Sequence, residues 1–305
     1  MDRGSFSSYE SAVAEARRQQ AGCDRSNNPA CQPILMTHGR KTPVVVIWLH
    51  GYTNCPRQFE ALGGRCYDKG WNVWIPLAPH HGLADRLTDA TRLLTAGELR
   101  QWADSAVDVA RGLGERVVVG GHSMGGSAAA WLGQRRQDVA VTLSIAPALT
   151  PLGGPAAVSR LAAAFFRMAP NVMAWWDPEL RESLPGPAHA YLRFSYKGLA
   201  EILRLGFSFA DEAWKRLPAT GAFRLVLNDG DEHLNNALAE RIIDRWKRRG
   251  AANVGLIRLG RELRLRHDFV DPDQPYQRIE IAYPPLIAVT EDALASLDVE
   301  PSMAR

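Results

Sequence analysis

Long apolar runs are missing from this chain. No window approaches the ~20 consecutive apolar residues that a membrane-spanning helix requires, so a helical integral membrane protein is excluded. Cysteine is scarce, with four residues in 305, namely Cys23, Cys31, Cys55 and Cys66. None has the C-x-x-C spacing of a metal knuckle. That excludes a disulfide-stapled miniature fold and a paired-thiolate zinc site, and no metal or organic cofactor is implied. The count leaves two states open: free thiols in a cytoplasmic protein, or one or two bridges in an exported one. A Cys23–Cys31 bridge across the short loop between them is sterically feasible. Excess charge is absent too. The formal net charge is +3 and the basic residues are scattered. The one dense run, Arg245-Trp246-Lys247-Arg248-Arg249, closes an amphipathic helix, where cations oppose the negative end of the helix dipole. Nucleic acid is therefore not an expected partner. Internal repeats and low-complexity linkers are also lacking. Residues 1–20 read as a polar amphipathic helix without the apolar core of a secretory signal. The cytoplasm is thus the default location, and the cysteines keep export open.

What is present is ordinary for a soluble enzyme: 46% hydrophobic and 23% charged residues, at a length that suits one large domain. Val44 to Leu49 is a continuous apolar run, the pattern of a strand buried on both faces. A helix is expected over Arg57 to Lys69 and a second strand over Trp71 to Ile75. Thr95 and Glu98 form a capping box, opening a helix whose Leu99, Trp102, Ala103, Ala106, Val107 and Ala110 keep helical spacing. A strand then runs to Gly120, an Ala-rich helix follows, and Val139 to Ile145 is a further strand. Strands alternating with helices imply a parallel sheet covered on both faces.

From Pro147 to Pro218 the alternation stops. This segment is rich in proline and large apolar residues, without a convincing strand pattern. It reads as a helical subdomain whose aromatics pack on one another or face a pocket, with Trp175 and Trp176 placed at the pocket. The alternation resumes with strand Phe223 to Leu227, a helix from Asn236 to Arg249 and strand Val254 to Leu259. A last helix is expected from Tyr283 to Leu297, with Pro284 and Pro285 tolerable only in its first turn.

Val117-Val118-Val119-Gly120-Gly121-His122-Ser123-Met124-Gly125-Gly126 carries the chemistry. An apolar strand stops at G-x-S-x-G and a small-residue helix begins, which lifts the Ser123 hydroxyl above the sheet edge at a helix N-terminus. Gly121 and Gly125 are needed because a Cβ at either place would collide with the neighbouring strand or helix. The bare motif arises by chance in roughly one chain in ten of this length, so its partners decide.

A serine hydroxyl needs a base, and ligands in such sheets bind at the carboxyl ends of the strands. Of the eight histidines, His267 lies just after a strand. His233 follows an acid cluster, and His189 falls in the inserted segment. His122 is expected to point away from the Ser123 hydroxyl, and His50 to order its own loop. The acid that fixes the base's tautomer comes from Asn228-Asp229-Gly230-Asp231-Glu232-His233-Leu234. Asp231 is preferred there, with Asp229 as rival or as a turn former. For an oxyanion hole the N–H of Met124 supplies one donor, and the loop His50-Gly51-Tyr52 supplies the other through Tyr52.

Leu49-His50-Gly51-Tyr52, Gly121-His122-Ser123-Met124-Gly125-Gly126, Pro79-His80-His81-Gly82 and the acid loop, in the order Ser, Asp, His, resemble the α/β-hydrolase family. Bacterial carboxylesterases and monoacylglycerol-lipase-like members are the nearest likeness. Asn228 departs from the family's acid loop, where Gly is usual. The resemblance implies a mostly parallel, doubly wound sheet with an inserted helical cap. Residues 1–39 would precede a core of 40–146 and 219–305, with 147–218 as the cap. It implies a serine hydrolase acting on small-molecule carboxylic esters through an acyl-enzyme, and the aromatics of the inserted segment favour hydrophobic acyl or aryl esters. Activity should rise with pH through a group near the ordinary histidine value of ~6.5. Amide or thioester cleavage on the same residues, a cofactor-free peroxidase side reaction and a non-catalytic binder are the alternatives.

Overall fold

The computed structural model describes residues 6, 8–151 and 155–298. Nine strands and eight α-helices are named here in chain order. Strands β1 (Ile34–Met36), β2 (Thr42–Leu49), β3 (Asn72–Ile75), β4 (Gly114–His122), β5 (Val141–Ile145), β8 (Ala222–Asn228) and β9 (Val254–Leu259) form one sheet. Its order is β1-β3-β2-β4-β5-β8-β9. All pairings are parallel except β1 on β3. β1 is not among the strands expected from the sequence, because its three residues are too few for an alternation to show.

The apolar runs are continuous because alternate side chains serve two cores. Val45, Ile47 and Leu49 of β2 join Val117 and Val119 of β4 on one face. Helices α1 (Tyr9–Ala21), α3 (Ala96–Leu113), α4 (Met124–Arg135), α6 (Tyr196–Lys215) and α7 (Ala237–Arg248) close that core. Val44, Val46 and Trp48 join Val118 on the opposite face, under α2 (Glu60–Tyr67) and α8 (Ile279–Ala295). The capping box forms as read, with Thr95 and Glu98 bonding each other's backbone at the start of α3.

Helix α8 starts four residues earlier than the sequence suggests, so Pro284 and Pro285 lie inside it rather than in its first turn. The two prolines withhold backbone donors. The helix persists because Ala282, Tyr283, Leu286, Ala293 and Leu294 are buried along it, and packing outweighs local propensity.

Between β5 and β8 the chain forms α5 (Ala156–Met168), a two-stranded antiparallel pair of β6 (Met173–Trp175) and β7 (Arg193–Ser195), and then α6. The strand pair corrects the strandless reading of this segment. Three residues each are stabilised by their partner, not by their own pattern. Ile202, Leu205, Phe209, Ala210 and Ala213 of α6 are embedded in the main core. Leu161, Phe165 and Met168 of α5 face solvent.

The strand order reverses at β2 and β4, since β3 lies on one side of β2 and β4 on the other. The loops leaving the carboxyl ends of these two strands diverge there and open a crevice. Ser123 and Tyr52 sit on those two loops.

Candidate active site

Ser123 is the hinge residue between β4 and α4, with φ 55° and ψ −109°. A non-glycine residue at such a φ is strained, by about 1–3 kcal/mol. The surroundings hold it there. Its N–H donates to Ile145 O at 3.0 Å, and its carbonyl accepts from the N–H groups of Ser127 and Ala148 at 2.9 and 3.1 Å. The glycines are steric necessities: a Cβ on Gly125 would enter the Leu49 carbonyl, and one on Gly121 would enter the Gly125 carbonyl. With the Met124 side chain buried, the turn offers the cavity the half-buried serine and the first amide of α4. Among the described residues, no protein acceptor meets the N–H of Met124 or of Tyr52.

His267 Nδ1 and Asp231 Oδ2 are 2.7 Å apart. The other Asp231 oxygen accepts the N–H groups of His233 and Leu234 at 2.8 and 3.0 Å. The carboxylate is an acceptor only, so the proton on the facing imidazole nitrogen is Nδ1–H, and Nε2 is left as the basic nitrogen. Burial pushes the Asp231 carboxyl up, but its bond to His267 and the His267 charge more than offset this, and its pKa lies below the ordinary value. For His267 burial acts downward, and the bond and charge of Asp231 outweigh it, so its pKa lies above the ordinary histidine value.

Asp229, the rival acid, points elsewhere. Its Oδ1 receives Arg258 Nη1 at 2.6 Å on the protein exterior.

His122 is buried, with its ring beside that of His267. Its Nε2 lies 2.8 Å from the His267 carbonyl oxygen and donates to it, tying the loop of the second histidine to the elbow. Burial, then the neighbouring His267, drops its pKa to about 3, which keeps the ring neutral. His50 orders its loop as expected. The N–H of Ala78 donates to His50 Nε2 at 3.0 Å, so the proton is on Nδ1, which donates to Gly51 O at 2.9 Å. His189, although part of the insertion, is buried with Nε2 3.0 Å from Asp271 Oδ2.

A model of the alpha/beta hydrolase family matches residues 46–295. The chain belongs to the α/β-hydrolase family. Among solved structures its fold is similar to a lipolytic enzyme from the metagenome-derived LipS and LipT work, at 18% identity and TM-score 0.65 over 87% of this chain and 98% of that one. It is also similar to the monoacylglycerol lipase of Paleococcus ferrophilus, at 16% identity and TM-score 0.63 over 87% and 99%. A soluble variant of monoglyceride lipase from Saccharomyces cerevisiae aligns at 12% identity and TM-score 0.65 over 88% and 92%. No curated protein sequence matches the chain.

In this α/β hydrolase a cavity of about 240 Å³ opens onto Ser123, His122 and His267. Its wall includes Trp176, Leu184, Leu192 and Tyr276. Trp176 is thus at the cavity, while its neighbour Trp175 is not among the lining residues, which corrects the pairing of the two. Successive side chains of an extended segment point to opposite sides. Trp176 is held by its indole N–H, which donates to Thr53 Oγ1 at 2.9 Å.

The Tyr52 side chain, which the sequence reading did not use, is buried and reaches the insertion. Its hydroxyl donates to Ser195 O at 3.0 Å and accepts the Ser195 N–H at 3.2 Å. The loop after β2 and the insertion are thereby joined. A phenol directly after the His-Gly pair that follows a strand gives no sequence signal of its distant partner.

The cysteines of this hydrolase pair differently from the Cys23–Cys31 reading. Cys31 and Cys55 form the disulfide, and Cys23 and Cys66 are free thiols. Proximity in sequence is no guide here, because Cys55 follows the β2 loop that packs onto the short helical turn carrying Cys31. The bridge closes a loop of sequence separation 24. Closing a loop of that size stabilises a fold by about 2–4 kcal/mol. Cys31→Ser is therefore expected to lower the urea midpoint measurably, and reduction of the wild type by dithiothreitol to match it. Equal midpoints with and without reductant would show that the bridge contributes nothing.

Proposed function

We propose that this α/β hydrolase cleaves carboxylic esters through an acyl-enzyme on Ser123. The observation that carries the reading is the Asp231–His267 bond of 2.7 Å at the cavity that also exposes Ser123. Ser123 Oγ attacks the ester carbonyl carbon and gives its proton to His267 Nε2. The oxyanion receives the N–H groups of Tyr52 and Met124, each such donor being worth about 3 kcal/mol to the transition state. Collapse of the intermediate breaks the carbonyl–alkoxy bond, and His267 returns the proton to the leaving alcohol. Water then attacks the acyl-enzyme with His267 again as base. Asp231 stabilises the imidazolium without becoming protonated itself.

The Trp176, Leu184, Leu192 and Tyr276 wall favours hydrophobic acyl or aryl groups, with the insertion serving as the cap that selects them. The lipolytic and monoacylglycerol lipase structures of similar fold support ester over amide substrates. The Cys31–Cys55 bridge favours an oxidising compartment over the cytoplasm as the working place. The test is an acyl-chain series of p-nitrophenyl esters with matched amides, run beside fluorophosphonate labelling. Labelling at Ser123 with turnover of hydrophobic esters is the expected result; absence of both would overturn the reading.

The pH dependence has a definite sign. The base must be neutral to accept a proton, and the Asp231 charge holds His267 above its ordinary value. The acid limb of kcat/KM should then have its midpoint above ~6.5. His50 is lowered well below the ordinary value by burial, and burial brings His81 to about 4, so neither accounts for this limb. A midpoint below ~6 would remove Asp231 from control of the base.

A further inference from the structure

Gly51 is the soft point of the loop that carries Tyr52. Lacking a Cβ, it leaves both flanking peptide planes free to rotate, yet an oxyanion donor works only if pre-oriented. The plane after Gly51 is held by His50, whose Nδ1–H donates to Gly51 O at 2.9 Å. A trans peptide then sets the Tyr52 N–H opposite that carbonyl. The plane before Gly51 is held by Gln58, whose Oε1 accepts the Gly51 N–H at 2.7 Å.

Gln58 is itself held. Its side chain is buried, and its Nε2 donates to Asp268 Oδ1 at 2.9 Å. A backbone N–H at one end and a carboxylate at the other permit only one orientation of the amide. The second Asp268 oxygen accepts Gln274 Nε2 at 2.8 Å and Asn54 Nδ2 at 3.2 Å. Asn54 bridges onward to Asp271 Oδ2 at 3.1 Å, which also faces His189 of the insertion. Three amide side chains thus converge on the carboxylate that directly follows His267. Each offers an N–H, an arrangement that suits an ionised acceptor and leaves no acceptor for a carboxyl proton. Burial, then the Asp271 charge, raises the Asp268 carboxyl to about 6, which still leaves it ionised at neutral pH.

We propose that Gln58 and Asp268 are positioning residues for the oxyanion loop: Asp268 orients the Gln58 amide, and Gln58 fixes the peptide plane before Gly51, the anchor from which the next plane, held by His50, aims the Tyr52 N–H. The loop of the base and the loop of the oxyanion donor are thereby set in register through one buried amide. The kinetic part of this inference rests on the ester-hydrolase reading; the structural part does not.

Three proteins test it, Gln58→Leu, Asp268→Asn and the double variant Gln58→Glu with Asp268→Asn. In the double variant the new carboxylate at position 58 accepts both the Gly51 N–H and the amide introduced at position 268, so the orientation is restored with the charge exchanged. Relative to wild type, Gln58→Leu and Asp268→Asn should lower kcat by about 10- to 100-fold with KM nearly constant, less than outright removal of an oxyanion donor. Affinity for a trifluoromethyl ketone, which mimics the oxyanion, should fall by the same factor. The double variant should recover most of the Asp268→Asn loss. Hydrogen exchange of the peptide spanning 50–55 should quicken in both single variants and slow again in the double, whatever bond the enzyme cleaves. Unchanged exchange in Gln58→Leu would overturn the link even with ester turnover intact. A double variant no better than Asp268→Asn, or losses confined to melting temperature with kcat unaltered, would also overturn it. Failure of the wild type to hydrolyse esters or label with fluorophosphonate would overturn the ester reading alone, since the exchange comparison still decides the link.

Discussion

Ser123→Ala is expected to reduce ester hydrolysis by at least about 10⁴-fold, because the residual contribution of an oxyanion hole without a nucleophile is small beside the intact machinery. Fluorophosphonate labelling should vanish with it. The fold should not suffer. The strained φ of 55° belongs to the backbone, and alanine at that position inherits the same strain as serine. The bonds that hold the turn are made by the backbone of Ser123 to Ile145, Ser127 and Ala148, and these are untouched. Ser123→Gly separates the two effects further, since glycine occupies this region freely. It should be as inactive as the alanine variant but melt at the same temperature or higher. Retention of more than a few per cent of activity by Ser123→Ala, with correct mass and no wild-type contamination, would take the nucleophile role from Ser123.

Asp231→Asn should be nearly as damaging, by about 10⁴-fold in kcat, through the proton rather than through shape. One Asp231 oxygen accepts two backbone N–H groups and the other faces His267 Nδ1. An asparagine must keep its oxygen on the backbone donors, which puts its NH₂ against Nδ1. That nitrogen must then be the acceptor, so the proton moves to Nε2 and the base is lost. Asp229→Asn removes only an ion pair with Arg258 on the exterior. Such a pair is worth about 0–1 kcal/mol, and turnover should stay within about twofold. Steady-state kinetics of the two variants side by side decide the matter, and a larger loss for Asp229→Asn would transfer the role.

The elements that position this site were legible because each is written in one local stretch. The apolar runs of β2 and β4, the capping box at Thr95 and the glycines around Ser123 are short-range patterns. Their physical causes, two-faced burial, satisfied helix donors and the lack of room for a Cβ, act within a few residues. Short or overruled local signals leave no such mark. β1, β6 and β7 have three residues each and exist only because a partner strand is present. Pro284 and Pro285 by themselves suit only a first turn, yet the helix around them is sustained by its buried side.

Residue order was enough to set the succession of the longer strands and helices and the turn that carries Ser123, and to point to His267 ahead of the other histidines. It left Asp229 and Asp231 as rivals, since two carboxylates two residues apart differ only in where they point. The fold alone decided that Asp231 faces His267 while Asp229 faces Arg258. It alone paired Cys31 with Cys55, sent the Tyr52 hydroxyl to Ser195, and gathered Gln58, Asn54 and Gln274 around Asp268. Hydrogen-bond partners drawn from segments more than two hundred positions apart leave no periodicity to read. They are selected when packing closes the two cores and brings the carboxyl ends of the strands to one edge, where direction and distance, rather than residue order, set which groups meet.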